Sequence, residues 1–139
     1  MADKIHFDLV SPERRLMSAD ATAVRIPGAD GDLTAMEGHA PTITSLRPGV
    51  LVVESGGSEE SYAVTGGFAE IGAEGTTVLA EQALPVAEVT TEVYSDWVAS
   101  ARKTRDEAPD DVVDAAVKLL EDMVAMGDHI GVAEEKNAA

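Results

Sequence analysis

The stretch Gly28–Gly49 has the sequence GADGDLTAMEGHAPTITSLRPG, in which glycine-containing turns alternate with short apolar segments. Its two strand candidates are Asp32–Met36 and Ile43–Leu46. Between them, Pro41 forces Ala40 toward an extended backbone, because the proline ring disfavours the helical conformation of the preceding residue. The stretch therefore predicts a strand, a stiff corner and a second strand, bounded by tight turns. Such a corner suits a contact surface better than a catalytic pocket.

The same alternation of strands and glycine turns continues on both sides of this stretch, over residues 1–86. Ile5, Phe7 and Leu9 alternate with polar residues, as in a strand with one buried face. Ten of the chain's 12 glycines lie in this part of the sequence. The further strand candidates are Ala21–Ile26, Val50–Glu54, Ser61–Thr65, Phe68–Ile71 and Thr76–Ala80. Short strands joined by glycine turns predict an N-terminal antiparallel β-sandwich.

Residues 87–139 have a helical periodicity, which predicts a C-terminal antiparallel two-helix hairpin with a frayed acidic tail from Glu134. The apolar face of the first helix has residues four apart: Val89, Val93, Trp97 and Ala101. The stripe of the second helix comprises Val113, Ala116, Val117, Leu120, Met123 and Val124. Pro109 suits the first turn of that helix and Gly127 its C-terminal cap. Because each helix has a single apolar stripe, we expect a thin core and a hairpin that moves readily.

The chain is strongly acidic, with a formal net charge of −16. Such a charge repels nucleic acid and anionic lipid, so we expect neither as a partner. The absence of cysteine excludes disulfides and thiolate metal sites. Apolar runs such as Val50–Val53 are far shorter than the roughly 20 residues of a membrane helix, and Met1–His6 lacks the apolar core of a secretion signal. We therefore expect no membrane insertion and a protein that stays in the compartment where it is made.

No motif of the sequence indicates catalysis or cofactor binding. His6, His39 and His129 are scattered, without a second histidine or a carboxylate at ligand spacing. Gly66-Gly67 lies between two strand candidates and precedes no helix, which predicts a turn or bulge with positive φ rather than a phosphate loop. Adjacent carboxylates such as Glu59-Glu60 point to opposite faces of a strand. The sequence therefore predicts no catalytic residue, no metal site and no cofactor.

Several motifs together resemble the epsilon subunits of bacterial F-type ATP synthases, which correspond to the delta subunit in mitochondria. The family pattern has an acidic-Gly-acidic-Leu turn, a Gly-His-Ala-Pro corner and a Leu-Arg/Lys-Pro-Gly turn; here these are Asp30–Leu33, Gly38–Pro41 and Leu46–Gly49. Flanking matches are Leu9–Glu13, Val24–Pro27, Thr65–Ile71 and Thr77–Glu81. The match is collinear over nearly all of residues 5–85. The hairpin agrees with the family in position and length but hardly in sequence.

The resemblance implies a non-catalytic subunit of the central stalk, or rotor, that couples the gamma subunit to the membrane c-ring during proton-driven ATP synthesis. It implies a peripheral position at the cytoplasmic face of the bacterial inner membrane, and contacts of the hairpin with the alpha and beta subunits. Residues that it places against the c-ring are Asp30, Gly31 and Asp32. Residues that it places against the gamma subunit are Ser11, His39, Thr44 and Thr65.

Two departures from the family concern the hairpin. Some relatives bind ATP through an Ile/Leu-Asp-x-x-Arg-Ala motif, but the matching segment here is Val89–Tyr94, with Thr90 in place of the aspartate and Val93 in place of the arginine. Between Pro109 and Asp128 one lysine stands against six acidic residues, and this charge would repel a triphosphate. We therefore predict no functional ATP site.

The same acidity weakens the second role of the family's hairpin, which is to inhibit the catalytic head through basic residues pressed on the beta subunit. The basic residues that could make such contacts here are Arg102, Lys103 and Arg105.

Two other functions are compatible with the residues alone. The chain could be a free-standing β-sandwich adaptor that binds another protein and carries a helical tail. It could also be a small hydrolase or nucleotide-binding regulator, although converging polar residues for such a site are not found in the sequence.

Overall fold

The computed structural model describes residues 4–134, which form ten strands and two helices. The strands are β1 (Ile5–Val10), β2 (Arg15–Ala21), β3 (Ala23–Gly28), β4 (Gly31–Met36), β5 (Thr42–Leu46), β6 (Gly49–Ser55), β7 (Ser58–Val64), β8 (Gly67–Ile71), β9 (Gly75–Ala80) and β10 (Ala83–Pro85). A 3-10 turn at Val86–Glu88 leads to helices α1 (Thr91–Glu107) and α2 (Val113–Ile130). The predicted order, a β-sandwich followed by a helical hairpin, is confirmed. Most of the predicted tail, residues 135–139, lies outside the described residues.

The strands pair in the order β10-β7-β6-β3-β5-β8-β9-β1-β2, and β4 pairs with β3 beside this path. All pairs are antiparallel except that of β1 with β9, which is parallel. This exception was not predicted, because alternation of apolar residues indicates which face of a strand is buried and not the direction of its neighbour.

The interior of the sandwich is built from the inward faces of these strands. Phe7, Leu9, Val24, Leu51 and Val78 are fully buried there. The alternation of Ile5, Phe7 and Leu9 therefore reports a real inward face, as predicted. The interior is aliphatic apart from Phe7 and Tyr62, in agreement with the low aromatic content of the sequence.

Two strands, β2 and β10, were missed by the sequence pattern. β2 lacks the alternation that marks a half-buried strand, because its partly buried Leu16 and Met17 are adjacent and residues 18–20 are exposed. It is held by its pairing with β1 and by Leu16, Met17 and Ala21, which pack on the core. β10 has only three residues, Ala83–Pro85. In addition, β7 begins at Ser58 rather than Ser61, because its polar first residues continue the pairing with β6 beyond the apolar segment.

The ends of the second helix differ from those predicted. Pro109 precedes the helix by four residues, and the N-cap is Val112. Gly127 is not the C-cap; it lies inside α2, and the cap is Gly131 with a φ of 79°. Gly127 is retained within the helix for a packing reason, because a Cβ there would lie 2.1 Å from the Tyr94 hydroxyl oxygen.

The hairpin lies folded against the outer face of β6 and β7. A second apolar cluster joins the two layers and comprises the buried residues Ala63, Val89, Tyr94, Trp97, Val98, Met123 and Met126. The Tyr94 hydroxyl donates to the Met123 carbonyl oxygen at 3.1 Å, which ties α1 to α2. Burial raises the pKa of Tyr94, so the hydroxyl stays protonated and remains a donor. Trp97 thus contributes to packing, as its position on the apolar stripe predicts.

One buried polar atom in the sandwich has no hydrogen-bond partner among the described residues, namely Oγ1 of Thr76 on β9. Thr76 is 2% exposed. Replacement of Thr76 by valine keeps the shape and removes the unpaired hydroxyl, so we expect the free energy of unfolding to rise by about 1 kcal/mol. Urea denaturation measures this change, with Thr77→Val on the half-buried outer face as the matched control. A loss of stability in Thr76→Val would contradict the expectation.

Candidate functional site

The acidic turn, residues 28–32, joins β3 to β4 and places Asp30 at its tip. Gly28 pairs with Gly31 across the hairpin, and Gly31 has a φ of 142°. A Cβ at Gly28 would lie 2.6 Å from the Gly31 carbonyl oxygen, so the turn is as tight as the backbone allows. Asp30 and Asp32 are both exposed. The predicted c-ring residues therefore form one compact surface feature.

Arg47, in the loop between β5 and β6, holds this acidic turn in place. Its Nη1 donates to the Gly28 carbonyl oxygen at 2.6 Å, and its Nη2 forms an ion pair with Asp32. Its backbone N–H donates to the Pro27 carbonyl oxygen at 3.0 Å. From the sequence, Arg47 was recognised only as part of the Leu-Arg-Pro-Gly motif and had no assigned role. A basic residue that follows an acidic turn within 15 positions gives only a weak signal for such a pair.

Two of the residues that the family resemblance would place against the gamma subunit, Ser11 and Thr65, are buried, with exposures of 9% and 6%. The Ser11 hydroxyl donates to the Arg14 carbonyl oxygen at 3.3 Å, within the turn between β1 and β2. The backbone N–H of Thr65 donates to the Gln82 carbonyl oxygen at 3.1 Å. Both residues thus support turns at the ends of strands.

The other two, His39 and Thr44, lie on the corner and on β5. Nδ1 of His39 is 2.7 Å from the Ala40 carbonyl oxygen, a hydrogen bond that orients the ring within its loop. Thr44 is half-buried, and its hydroxyl donates to the Ser45 carbonyl oxygen at 3.2 Å. Within residues 4–134, no hydrogen bond or ion pair joins any two of these four residues.

An apolar face, defined here by Ile43, Phe68 and Leu79, lies on the outer surface of β5, β8 and β9. These side chains are 75%, 59% and 54% exposed. Phe68 is paired with Leu79 in the register of β8 and β9. Phe68 and Leu79 line a groove, and Ser11 lies at its edge. No signal in the sequence reveals this face, because the pattern of β8 and β9 does not show which of their apolar side chains point outward.

The segment that replaces the family's ATP motif has a structural role at the start of α1. Thr90 is the N-cap of this helix, and its Oγ1 accepts from the Val93 backbone N–H at 3.1 Å. Val93 is half-buried and packs on the apolar cluster below the hairpin. The two substitutions therefore complete a helix N-terminus and its packing.

Two of the three basic residues of α1 are paired with carboxylates of the chain itself. Arg102 donates to both Glu134 oxygens, at 2.5 and 2.6 Å, and this contact raises the pKa of Arg102. Arg105 forms an ion pair with Asp106 at 3.0 Å. Lys103 is exposed. Of these three basic residues, Lys103 is the one that forms no ion pair within residues 4–134.

Among residues 4–134, no group of three or more histidine, aspartate or glutamate side chains is arranged to hold a metal ion. The expectation that no carboxylate lies near a histidine is wrong for His6, because Nε2 is 3.2 Å from Asp8, two residues along the same strand, and Nδ1 is 3.5 Å from Asp20 on the adjacent strand. Neither described helix is both long and apolar enough to cross a membrane.

Comparison with solved structures gives the same architecture. The chain is similar to a chain in the cryo-EM structure of the Euglena gracilis mitochondrial ATP synthase, OSCP/F1/c-ring, with a TM-score of 0.69 and 23% identity over 91% of this chain and 81% of that one. A chain in the Tetrahymena thermophila mitochondrial ATP synthase structure, central stalk/c-ring, gives a TM-score of 0.55 at 16% identity, covering 85% of this chain and 97% of that one. At these identities the likeness establishes the fold.

Sequence relatives define the family. Residues 4–86 match the family model described as the ATP synthase delta/epsilon chain, beta-sandwich domain. The chain is 57% identical to the ATP synthase epsilon chain of Rhodobacter capsulatus, over 95% of this chain and 100% of that protein. It is also 57% identical to the epsilon chain of Paracoccus denitrificans, over 95% of this chain and 94% of that protein. The collinear motifs, the sandwich with its hairpin and these relatives agree: the chain belongs to the family of ATP synthase epsilon chains.

Proposed function

We propose that the chain is a non-catalytic subunit of the central stalk of an F-type ATP synthase, where it couples the gamma subunit to the c-ring. In this proposal residues 1–86 are the unit that docks on the rotor and residues 87–139 form a separate helical appendage. The complex holds the chain peripherally at the cytoplasmic face of the inner membrane. The observation that carries the proposal is the apolar face, which leaves Ile43, Phe68 and Leu79 exposed on an otherwise acidic chain.

The apolar face is the surface that we assign to the gamma subunit. Burial of a phenylalanine or leucine side chain contributes about 1.5–3 kcal/mol, so a partner that covers three such residues gains substantial affinity. Ser11 supports this assignment, because it borders the groove beside Phe68 and Leu79. Thr44 follows Ile43 on β5 and pairs with the buried Ala69, so its side chain points to the opposite face of the sheet.

His39 and Thr65 lie close in sequence to the same strands. His39 is three residues before β5, and Thr65 is two residues before β8. We therefore retain Ser11, His39 and Thr65 as the rim and support of the gamma contact, whereas Thr44 supports β5 from its other face. Because Ser11 and Thr65 are buried and hydrogen-bonded to turns, their contribution is to hold strand ends in place.

The acidic turn is the surface that we assign to the c-ring. It is stiff, exposed and negatively charged, so it suits a basic side chain on a loop of the ring. This proposal gives the folded hairpin at most a minor inhibitory role. Arg102 and Arg105 neutralise carboxylates of the chain, which leaves Lys103 as the remaining basic residue of the three.

Replacement of Phe68 by glutamate tests the gamma contact. A charge at the centre of an apolar interface is expected to weaken binding to the purified gamma subunit by about 30-fold, which corresponds to about 2 kcal/mol. Surface plasmon resonance with the full chain measures the dissociation constant. Phe68 is 59% exposed, so the fold should tolerate the change.

The matched control is Val112→Glu, which introduces the same charge at an exposed valine between the two helices. This variant is expected to bind gamma like the wild type. Equal affinity of the Phe68→Glu variant and the wild type would remove the basis of the proposal, and equal weakening by both variants would show a nonspecific effect of charge.

A further inference from the structure

An apolar groove, called here the tip groove, lies at the end of the helical hairpin where α1 turns into α2. Its volume is about 470 Å³, and its walls are almost entirely apolar. They are formed by the loop between the helices and the first two turns of α2, and the apolar residues are Ala108, Pro109, Val112, Ala115, Ala116 and Leu119. The tip groove shares no lining residue with the groove at the apolar face.

Val112 is the unusual residue of the tip groove. It is the N-cap of α2, a position that serine, threonine, aspartate and asparagine favour because their side chains bond to free N–H groups of the first turn. The valine makes no such bond, although Asp111 stands directly before it in the sequence. It is also 47% exposed. An apolar side chain thus occupies a polar position without being buried by its own chain, so its surface is available to another molecule.

The surroundings of the tip groove are strongly acidic. Residues 106–114 include five carboxylates and no lysine or arginine. Glu107 lines the groove, and Asp110, Asp111 and Asp114 are exposed and lie between lining residues in the sequence. None of these four carboxylates has a basic partner among residues 4–134. Their charge is therefore available to a basic molecule that binds over the groove.

Apolar walls with an acidic rim exclude several occupants. Nucleic acid and an anionic membrane surface would be repelled by the carboxylates. A second copy of this chain would bring the same acidic rim to the contact. Residues 135–139 contain no large apolar side chain that could fill the groove. The occupant that fits carries apolar side chains flanked by basic ones.

We propose that the tip groove binds a basic amphipathic helix of a partner protein other than the gamma subunit. Val112, Ala115, Ala116 and Leu119 are spaced as i, i+3, i+4 and i+7, so they form an apolar row two turns long, about 10 Å. Such a row fits the apolar stripe of another helix. Lysine or arginine residues beside that stripe face the acidic rim. The proposal goes beyond the stalk function and does not depend on it.

Model peptides test the proposal, because they supply this chemistry alone. The probe is an amphipathic helix of about 18 leucine and lysine residues, and its control has the same composition in a scrambled order without an apolar stripe. Fluorescence anisotropy of the labelled peptides, titrated with the full chain, measures the dissociation constants. The patterned peptide is expected to bind about tenfold more tightly than the scrambled one, and added salt is expected to weaken its binding.

The variant Val112→Ser separates binding from folding, because the two are expected to change in opposite directions. Serine caps the first turn of α2, so the melting temperature is expected to rise by about 3 °C. Loss of the apolar side chain is expected to weaken binding of the patterned peptide about fivefold. Val124→Ser is the matched control, because Val124 is 39% exposed on the same helix and does not line the tip groove. Its affinity for the peptide is expected to equal that of the wild type.

Removal of two charges tests the acidic rim. Asp110→Asn combined with Asp111→Asn is expected to weaken binding about fourfold and to reduce its salt dependence. Glu121→Gln combined with Asp128→Asn removes two exposed charges further along α2, and a change of less than about twofold is expected.

The outcomes distinguish a specific groove from general attraction to an acidic chain. Equal affinities of the patterned and scrambled peptides would overturn the proposal. So would equal affinities of the Val112→Ser and Val124→Ser variants for the patterned peptide, or equal effects of the two double variants. The Val112→Ser variant is expected to bind the gamma subunit like the wild type, and weaker binding would assign the tip groove to gamma and overturn the proposal as well.

Discussion

Gly67→Ala is expected to destabilise the sandwich by about 4 kcal/mol or more, a large part of the 5–15 kcal/mol that stabilises a typical domain. Gly67 opens β8 with a φ of 126°, a conformation that side chains with a Cβ rarely adopt. A Cβ there would lie 2.0 Å from the Leu79 carbonyl oxygen and 2.9 Å from the Ala80 Cα. Both atoms belong to the backbone of β9, so they cannot move without breaking the pairing of the two strands.

Gly31→Ala is a control that separates the effect of backbone strain from that of a steric clash. Gly31 has a similar φ of 142°, but no atom lies within 4 Å of a Cβ placed there. This control is expected to cost only the conformational strain, about 1–3 kcal/mol. Urea unfolding of both variants measures the difference in their stability. Binding of each variant to the gamma subunit through the apolar face is a second readout. Similar stability of the two variants would show that β9 accommodates the side chain and that the contact at Gly67 is not restrictive.

Gly66-Gly67 also shows what the sequence could reveal about the fold. The pair was predicted to form a turn or bulge with positive φ, and both residues have positive φ. The prediction succeeded because the need for glycine is local. The close approach of Leu79 to Gly67 depends on the pairing of β8 with β9, which no local pattern specifies. For the same reason the exposed strand β2 and the parallel pairing of β1 were missed.

The candidate site, too, was predicted where its residues are contiguous in sequence and missed where they meet only in the fold. The acidic turn was predicted at Asp30–Asp32 because its residue types and the glycine between them are contiguous in sequence. Arg47 was assigned no role, because its contact with Asp32 is made only after β5 folds back beside β3. The apolar face was overlooked since Phe68 and Leu79 read as ordinary members of strands until the register showed which side is outside.

The second large effect concerns the hairpin, where Gly127→Ala is expected to displace α2 from α1 at a cost of about 2–4 kcal/mol. A Cβ at Gly127 would lie 2.1 Å from the Tyr94 hydroxyl oxygen and 2.2 Å from its ring carbon Cζ. The Tyr94 ring is 3% exposed, and its hydroxyl is bonded to Met123, so it has no free direction in which to move. The better helix propensity of alanine recovers only about 1 kcal/mol.

Trp97 reports this displacement, because it is the only tryptophan and is 7% exposed between the hairpin and the sheet. In Gly127→Ala we expect its fluorescence to shift to the red and the α2 amides to exchange faster, while the amides of β1 and β9 keep their protection. Tyr94→Leu shortens the obstructing side chain, so the double variant should lose less stability than the two single variants predict together. Strict additivity would mean that Tyr94 is not what requires glycine at position 127. Coupling would instead show that the close approach of Tyr94 to Gly127 is what sets the distance between α1 and α2 in the folded hairpin.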